Sequence, residues 1–209
     1  MPCRDRYGIR DQRRALPTPR VDSPHQSDDL ASIVGASDST IADLHYTLQI
    51  VFGWSDLHLN LFHIHGQDYG VYDDGGMGFS TDPSKVLLRD FKFRVNERFR
   101  YEYDFGAFWE HQVRLEARLP VGDKRIYPRC IGGERRAPPE DCGAPVAFME
   151  RRDAIPLQME ELMWQIRGDL EGNDLEAIRD RIESIENLRE WLTLDEFDRR
   201  TVNAVRDPR

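Results

Sequence analysis

From residue 40 onward the chain shows two hydrophobic periods, and the switch between them marks its elements. Ile41, Leu44, Leu48 and Val51 recur every three to four residues, the spacing of one helix face. Ser39 or Thr40 can cap that helix, and Gly53 can end it after Phe52. Beyond the turn Trp54-Ser55-Asp56 the period falls to two. Over residues 59–65, Phe62 and Ile64 point one way and Leu61, His63 and His65 the other, which predicts a strand. Residues 66–78, with Asp73-Asp74-Gly75-Gly76, read as a loop. The clearest alternation covers residues 98–105. Phe99, Tyr101, Tyr103 and Phe105 share one face; Arg98, Arg100, Glu102 and Asp104 share the other. After Gly106-Ala107, Trp109, His111, Val113, Leu115, Ala117 and Leu119 line one face of a second strand. The two strands form an antiparallel hairpin whose charged face meets water.

Downstream of a loop over residues 132–145 the period returns to the helical one. Met159, Leu162, Ile166 and Leu170 mark one helix. Leu175, Ile178, Ile182 and Ile185 mark another, with Asn173 and Glu176 as a cap pair. Thr193 and Glu196 have capping-box spacing for a last helix containing Phe197 and Val205. Strands first and helices last predict the α+β class: an antiparallel β-sheet with packed helices and an α-helical C-terminal extension. Residues 1–38 lack a period and are rich in Arg, Asp, Pro and Ser, so they read as a disordered or degenerate leader. Residues 39–149 form the core, and residues 150–209 its helical extension. Arg20-Val21-Asp22-Ser23 faintly resembles the strand-end serine of serine recombinases, but Pro17, Pro19 and Pro24 surround it and argue against a strand there.

Composition adds limits. The 209 residues are 39% hydrophobic and 32% charged, with a net charge of −9. Residues 150–209 carry −6 of that, residues 40–149 carry −3, and the first 39 are neutral. A wholly basic nucleic-acid binder is excluded; a local basic stripe is not. Arg94, Arg98, Arg100, Arg114, Arg118 and Arg129 could form one, although Glu102, Glu110 and Glu116 interleave with them. No apolar run is long enough to span a membrane, and the first residues lack the apolar segment of a secretory signal. Three cysteines are too few for a disulfide scaffold, so a reduced, cytoplasmic protein is expected.

Three blocks carry a family resemblance. The first is Leu44-His45, then Phe52-Gly53-Trp54-Ser55-Asp56-Leu57-His58-Leu59 and Phe62. The second is Phe99-Arg100-Tyr101-Glu102-Tyr103-Asp104-Phe105-Gly106, then Trp109 and His111. The third is Tyr127-Pro128, Gly132-Gly133 and Pro138-Pro139-Glu140-Asp141-Cys142-Gly143. Together, with a C-terminal Phe197-Asp198 and Val202-Asn203, they resemble the plasmid pRiA4b ORF-3-like family over roughly residues 40–205. The resemblance implies an α+β fold and carriage by plasmids or insertion elements, where some members bear a transposon-resolvase label. It implies no reaction. The chain departs from the family pattern in three places. No Pro-Pro-hydrophobic-Trp-Arg-Arg motif precedes Ser39, so the first strand is expected to be missing or replaced. Ala107 stands where an acidic residue is usual, and Gly143-Ala144-Pro145-Val146 replaces a Gly-Gly-Pro-Trp type sequence. These departures suggest a drifted copy.

The residues with chemistry to offer are His58, Tyr103, Asp104, Trp109, His111, Glu140, Asp141 and Cys142, with His63 and His65 as a same-face pair. A metal or acid–base site would draw on the hairpin turn and the Pro-Pro-Glu-Asp-Cys loop, and zinc is the metal these donors suit. Against that, eleven residues separate Cys130 from Cys142, which is no zinc spacing. Each residue also has a structural role open to it. His111 can be a buried, hydrogen-bonded histidine and Asp104 a turn residue accepting backbone N–H groups. Trp54, Trp109 and the tyrosines can be core. No cofactor is therefore predicted. The readings stand in this order: a non-enzymatic binding module whose partner is a protein or nucleic acid; a nucleic-acid-associated accessory factor of a mobile element; and a metal-dependent enzyme using the region of Asp104, His111 and Cys142.

Overall fold

The computed structural model describes residues 14–23, 26–70, 79, 81–120 and 127–205. Eight strands among them join in one sheet: β1 (Arg14–Ser23), β2 (Gln26–Ala36), β3 (Asn60–Ile64), β4 (Gln67–Gly70), β5 (Arg98–Tyr103), β6 (Trp109–Leu115), β7 (Leu119–Pro120) and β8 (Arg129–Gly133). The strand order is β4-β3-β5-β6-β1-β2-β8, with β7 on β1, and every pairing is antiparallel. Helices α1 (Ile41–Phe52), α2 (Pro145–Glu171), α3 (Leu175–Asn187), α4 (Arg189–Leu192) and α5 (Arg199–Ala204) complete an α+β fold.

Local chemistry sets α1 as its sequence predicts. The Thr40 hydroxyl accepts from the Asp43 N–H and the Asp43 carboxylate accepts from the Thr40 N–H, a reciprocal cap. Gly53 closes the helix at φ 74°, a left-handed conformation that costs glycine little. Ile41, Leu44, Leu48 and Val51 are buried in one core with Phe62, Ile64, Tyr101, Tyr103 and Val113 of the sheet. The β5–β6 hairpin pairs Tyr101 with His111 and Tyr103 with Trp109. Its other face carries Arg98, Arg100, Glu102, Glu110, Gln112 and Arg114. On that face Arg100 bridges Glu102 and Glu110, and Arg114 pairs with Glu116. The arginine stripe is thus a mixed-charge lattice facing solvent.

Four expectations change. Residues 14–36, expected within an unstructured leader, supply β1 and β2, and β1 lies inside the sheet between β2 and β6. The β1–β2 register shifts between Pro17 and Arg20, the kind of irregularity at which a sheet accommodates proline. The first strand is therefore replaced rather than missing. Residues 1–13, with Cys3, lie outside the described residues. The boundary drawn at residue 149 falls within α2, which begins at Pro145. The loop drawn over residues 66–78 holds β4 at its start. Finally, the helix caps move: Asp174 rather than Asn173 caps α3, and Asp198 rather than Thr193 caps α5.

The C-terminal segments pack on the same core. Phe148, Ile155, Leu162, Leu188, Trp191 and Leu194 are buried, whereas Leu170, expected on the apolar face, is exposed. Phe197 lies over Gly133, where any Cβ would come within 2.6 Å of its ring. Asn203 accepts from the Cys130 N–H at 3.0 Å and donates to the Cys130 carbonyl at 2.8 Å. One amide side chain thereby occupies backbone groups on β8, the last strand of the sheet.

Candidate functional site

The three sequence blocks meet at one corner of the molecule. The connection after α1 brings Trp54 to His58. The turn between β5 and β6 brings Asp104 to Phe108. The loop before α2 brings Pro138 to Gly143. The Trp54 indole N–H donates to the Pro138 carbonyl at 2.8 Å, and its ring stacks on Tyr103 with centroids 4.8 Å apart. Glu140 joins all three segments: it accepts from the Ser55 N–H at 2.6 Å and from the Tyr103 hydroxyl at 2.5 Å. The His58 N–H in turn donates to the Tyr103 hydroxyl at 3.2 Å.

Charge-assisted hydrogen bonds are the stronger kind, and they show in the titration of this pair. Burial, and then Glu140 beside it, raise the Tyr103 phenol above its ordinary range. Burial opposes ionisation of Glu140, but the donors Tyr103 and Ser55 outweigh it and hold the carboxyl below its usual value.

In front of this scaffold lies His58, between two carboxylates. Its Nε2 is 2.7 Å from Asp141 Oδ1, and its Nδ1 is 3.8 Å from Asp104 Oδ1. Asp104 sits at φ 55°, and its Oδ1 accepts the N–H groups of Gly106 and Ala107 at 3.0 and 3.2 Å. The turn role read from the sequence is therefore present alongside the contact with His58. Exposed apolar side chains lie on or next to these segments: Leu57 and Leu59 beside His58, Phe108 in the hairpin turn, and Val146 at the start of α2.

The remaining candidates separate from this group. Trp109 is buried edge-on to Phe148. His111 is enclosed, stacked on Phe52 at 4.7 Å, and its Nε2 has no hydrogen-bond partner among the described residues; burial lowers its pKa to about 3. The hydrogen-bonded histidine expected at this position is thus a histidine packed as an aromatic ring. Cys142 is half-buried against the core, and burial pushes its thiol up to about 11. The trio Asp104, His111 and Cys142 does not open on a shared cleft; the structure groups Asp104 with His58 and Asp141 instead. His63 and His65 do not act as a pair. Each meets its own carboxylate, Asp68 at 2.6 Å and Glu97 at 2.5 Å, and His65 lies in the turn after β3. Ala107 is buried, so the departure from an acidic residue places a methyl group in the core.

A second polar group, missed in the sequence, lies behind the corner. His45 Nδ1 is 2.9 Å from the Tyr101 hydroxyl, and its Nε2 is 2.7 Å from Asp56 Oδ1. Gln49 Nε2 donates to the same hydroxyl at 3.0 Å, and its Oε1 accepts from the Asp56 N–H at 3.1 Å. With the Asp56 carboxylate accepting from Nε2–H, Nδ1 must accept from Tyr101. His45 and Gln49 are four residues apart, hence on one helix face; that spacing was the available signal.

The family model described as plasmid pRiA4b ORF-3-like protein matches residues 32–205, starting within β2. The uncharacterized protein y4hQ of Sinorhizobium fredii (strain NBRC 101917 / NGR234) is 32% identical over 117 residues, which cover 55% of this chain and 59% of that protein. The chain thus matches less than two thirds of this relative's length. A crystal structure of a protein of unknown function, MM3350 from Methanosarcina mazei Go1, is similar with a TM-score of 0.61 at 26% identity, covering 73% of this chain and 90% of that one.

Proposed function

The chain belongs to the plasmid pRiA4b ORF-3-like family, and from the corner its fold carries we propose that it is a non-enzymatic binding module for a protein partner. The carrying observation is the exposed apolar pair Leu57 and Phe108 on segments that Glu140 and Trp54 lock together, with Leu59 and Val146 exposed just beyond them. Exposed apolar anchors around a rigid polar centre are what a protein interface uses. Catalysis finds less support. Among the described residues no histidine hydrogen-bonds the Cys142 thiol, and His111 is closed off from solvent. A nucleic-acid reading would rest on the arginines of β5 and β6, yet Glu102, Glu110 and Glu116 offset them. Carriage on a mobile element and a cytoplasmic location fit this reading. Among the described residues no helix is long and apolar enough to cross a membrane.

The test is cross-linking in host extract with the wild type and with Leu57→Ser and Phe108→Ser. The reading predicts one protein captured stoichiometrically by the wild type and lost by both variants at unchanged melting temperature. Equal capture by all three, or none by any, contradicts it. Salt-dependent binding to DNA or RNA by the purified protein would favour the accessory-factor reading.

A further inference from the structure

We infer that His58, Asp104 and Asp141 form a binding site for a single divalent transition-metal ion, with zinc the best-suited occupant. One ligand atom from each residue lies within 4.8 Å of the other two. The inference goes beyond partner docking and does not depend on it.

Charge distinguishes this group from the other histidines. His63 and His65 each face one carboxylate, whereas His58 faces two, brought from different loops. Among the described residues neither Asp104 nor Asp141 has an arginine or lysine at ion-pair distance. A protonated imidazole would leave the trio at −1; a divalent ion would balance both carboxylates with the imidazole neutral. Like-charged carboxylates held close favour a bound cation or proton.

The donor set defines the class of ion. An imidazole nitrogen with two carboxylate oxygens suits zinc and its neighbours, whereas magnesium and calcium favour all-oxygen sites. Donors bonded at about 2.0–2.2 Å around a tetrahedral ion lie roughly 3.4 Å apart. An ion on Nδ1 would sit beside Asp104, 3.8 Å away, and Asp141, now 2.7 Å from Nε2 with a side chain 62% exposed, would swing from that nitrogen to the same ion; the three donor atoms already lie within 4.8 Å of one another. The site is pre-organised from behind. The N–H groups of Gly106 and Ala107 fix Asp104, and Glu140 ties the His58 segment to the loop that bears Asp141. The half-exposed position leaves room for water to complete the coordination.

The experiment uses the full chain after chelator treatment. Zinc is titrated by calorimetry, and cobalt(II) by the visible absorption that appears on protein coordination. The expected result is one equivalent bound, with affinity reduced at least about tenfold by His58→Ala and by Asp141→Asn. His63→Ala and His65→Ala leave it unchanged, and magnesium and calcium compete poorly. Asp141→Asn alters an exposed side chain, and circular dichroism confirms its fold. Absence of stoichiometric binding, binding that survives both variants, or loss in the His63 and His65 variants overturns the proposal. Failure here would leave capture through Leu57 and Phe108 intact, so the two readings fail separately.

Discussion

Tyr101 and Tyr103 lie two residues apart on one face of β5, yet they anchor two different kinds of polar site. Tyr101 is closed in. Its hydroxyl meets His45 and Gln49, and burial raises its phenol well above the ordinary range. Tyr103 reaches outward to Glu140 on a loop, next to His58, Asp104 and Asp141. Behind the corner, polar groups have protein partners and serve the fold. At the corner they hold a scaffold whose foremost donors face water. Two residues of strand separate the group that specifies the core from the group placed to bind.

The largest expected difference is in acid. His111 has its pKa lowered to about 3 by burial, against 6.5 when unperturbed. The unfolded chain gains the proton first, so stability is full above pH 6.5 and falls as the pH drops toward 3. At pH 4 the loss is about 3 kcal/mol, at 1.36 kcal/mol per unit. His111→Phe, which keeps the ring in its stack, flattens the melting profile between pH 6.5 and 4; an unchanged profile would place the acid response elsewhere. Next, Tyr101→Phe strands His45 and Gln49 and costs about 2–3 kcal/mol in urea unfolding. Tyr103→Phe removes the bond to the half-exposed Glu140 carboxylate and the one accepted from the His58 N–H, at a site water reaches, and costs about 1–2 kcal/mol. Equal costs for the two tyrosines would break the distinction between them. Asp141→Asn, in the absence of metal, changes stability by less than about 0.5 kcal/mol.

Much of the sheet was legible in the sequence because alternation reports one buried face directly: Phe99 to Tyr103 and Trp109 to Leu115 are where the pattern puts them. The capped helix α1 was legible for the same local reasons. β1 and β2 were not. β1 is interrupted by Pro17 and Pro19, β2 opens on the polar run Gln26-Ser27-Asp28-Asp29, and their pairing with β6 and β8 is set by distant partners. Leu188, Trp191 and Leu194 are buried by contacts outside the helical stripes that marked α2 and α3. The candidate site divides similarly. Residue types pointed to His58, Asp104, Glu140 and Asp141, but only the fold joins the hairpin turn to the loop before α2. The alternation already pointed His111 inward; that its Nε2 goes without a partner among the described residues and that Cys142 rests against the core are set by the fold. The His45–Tyr101 network was hidden because a histidine on an amphipathic helix does not show in the sequence what it faces.

The central claim is that the corner binds and the network behind it does not. The most direct measurement is a zinc titration of the metal-free protein followed through its 1H–15N NMR spectrum. The account predicts saturable shifts at one equivalent, confined to residues near His58, Asp104 and Asp141, with His45 and Gln49 unmoved. Shifts centred on His63 and His65, or none that saturate, would contradict it.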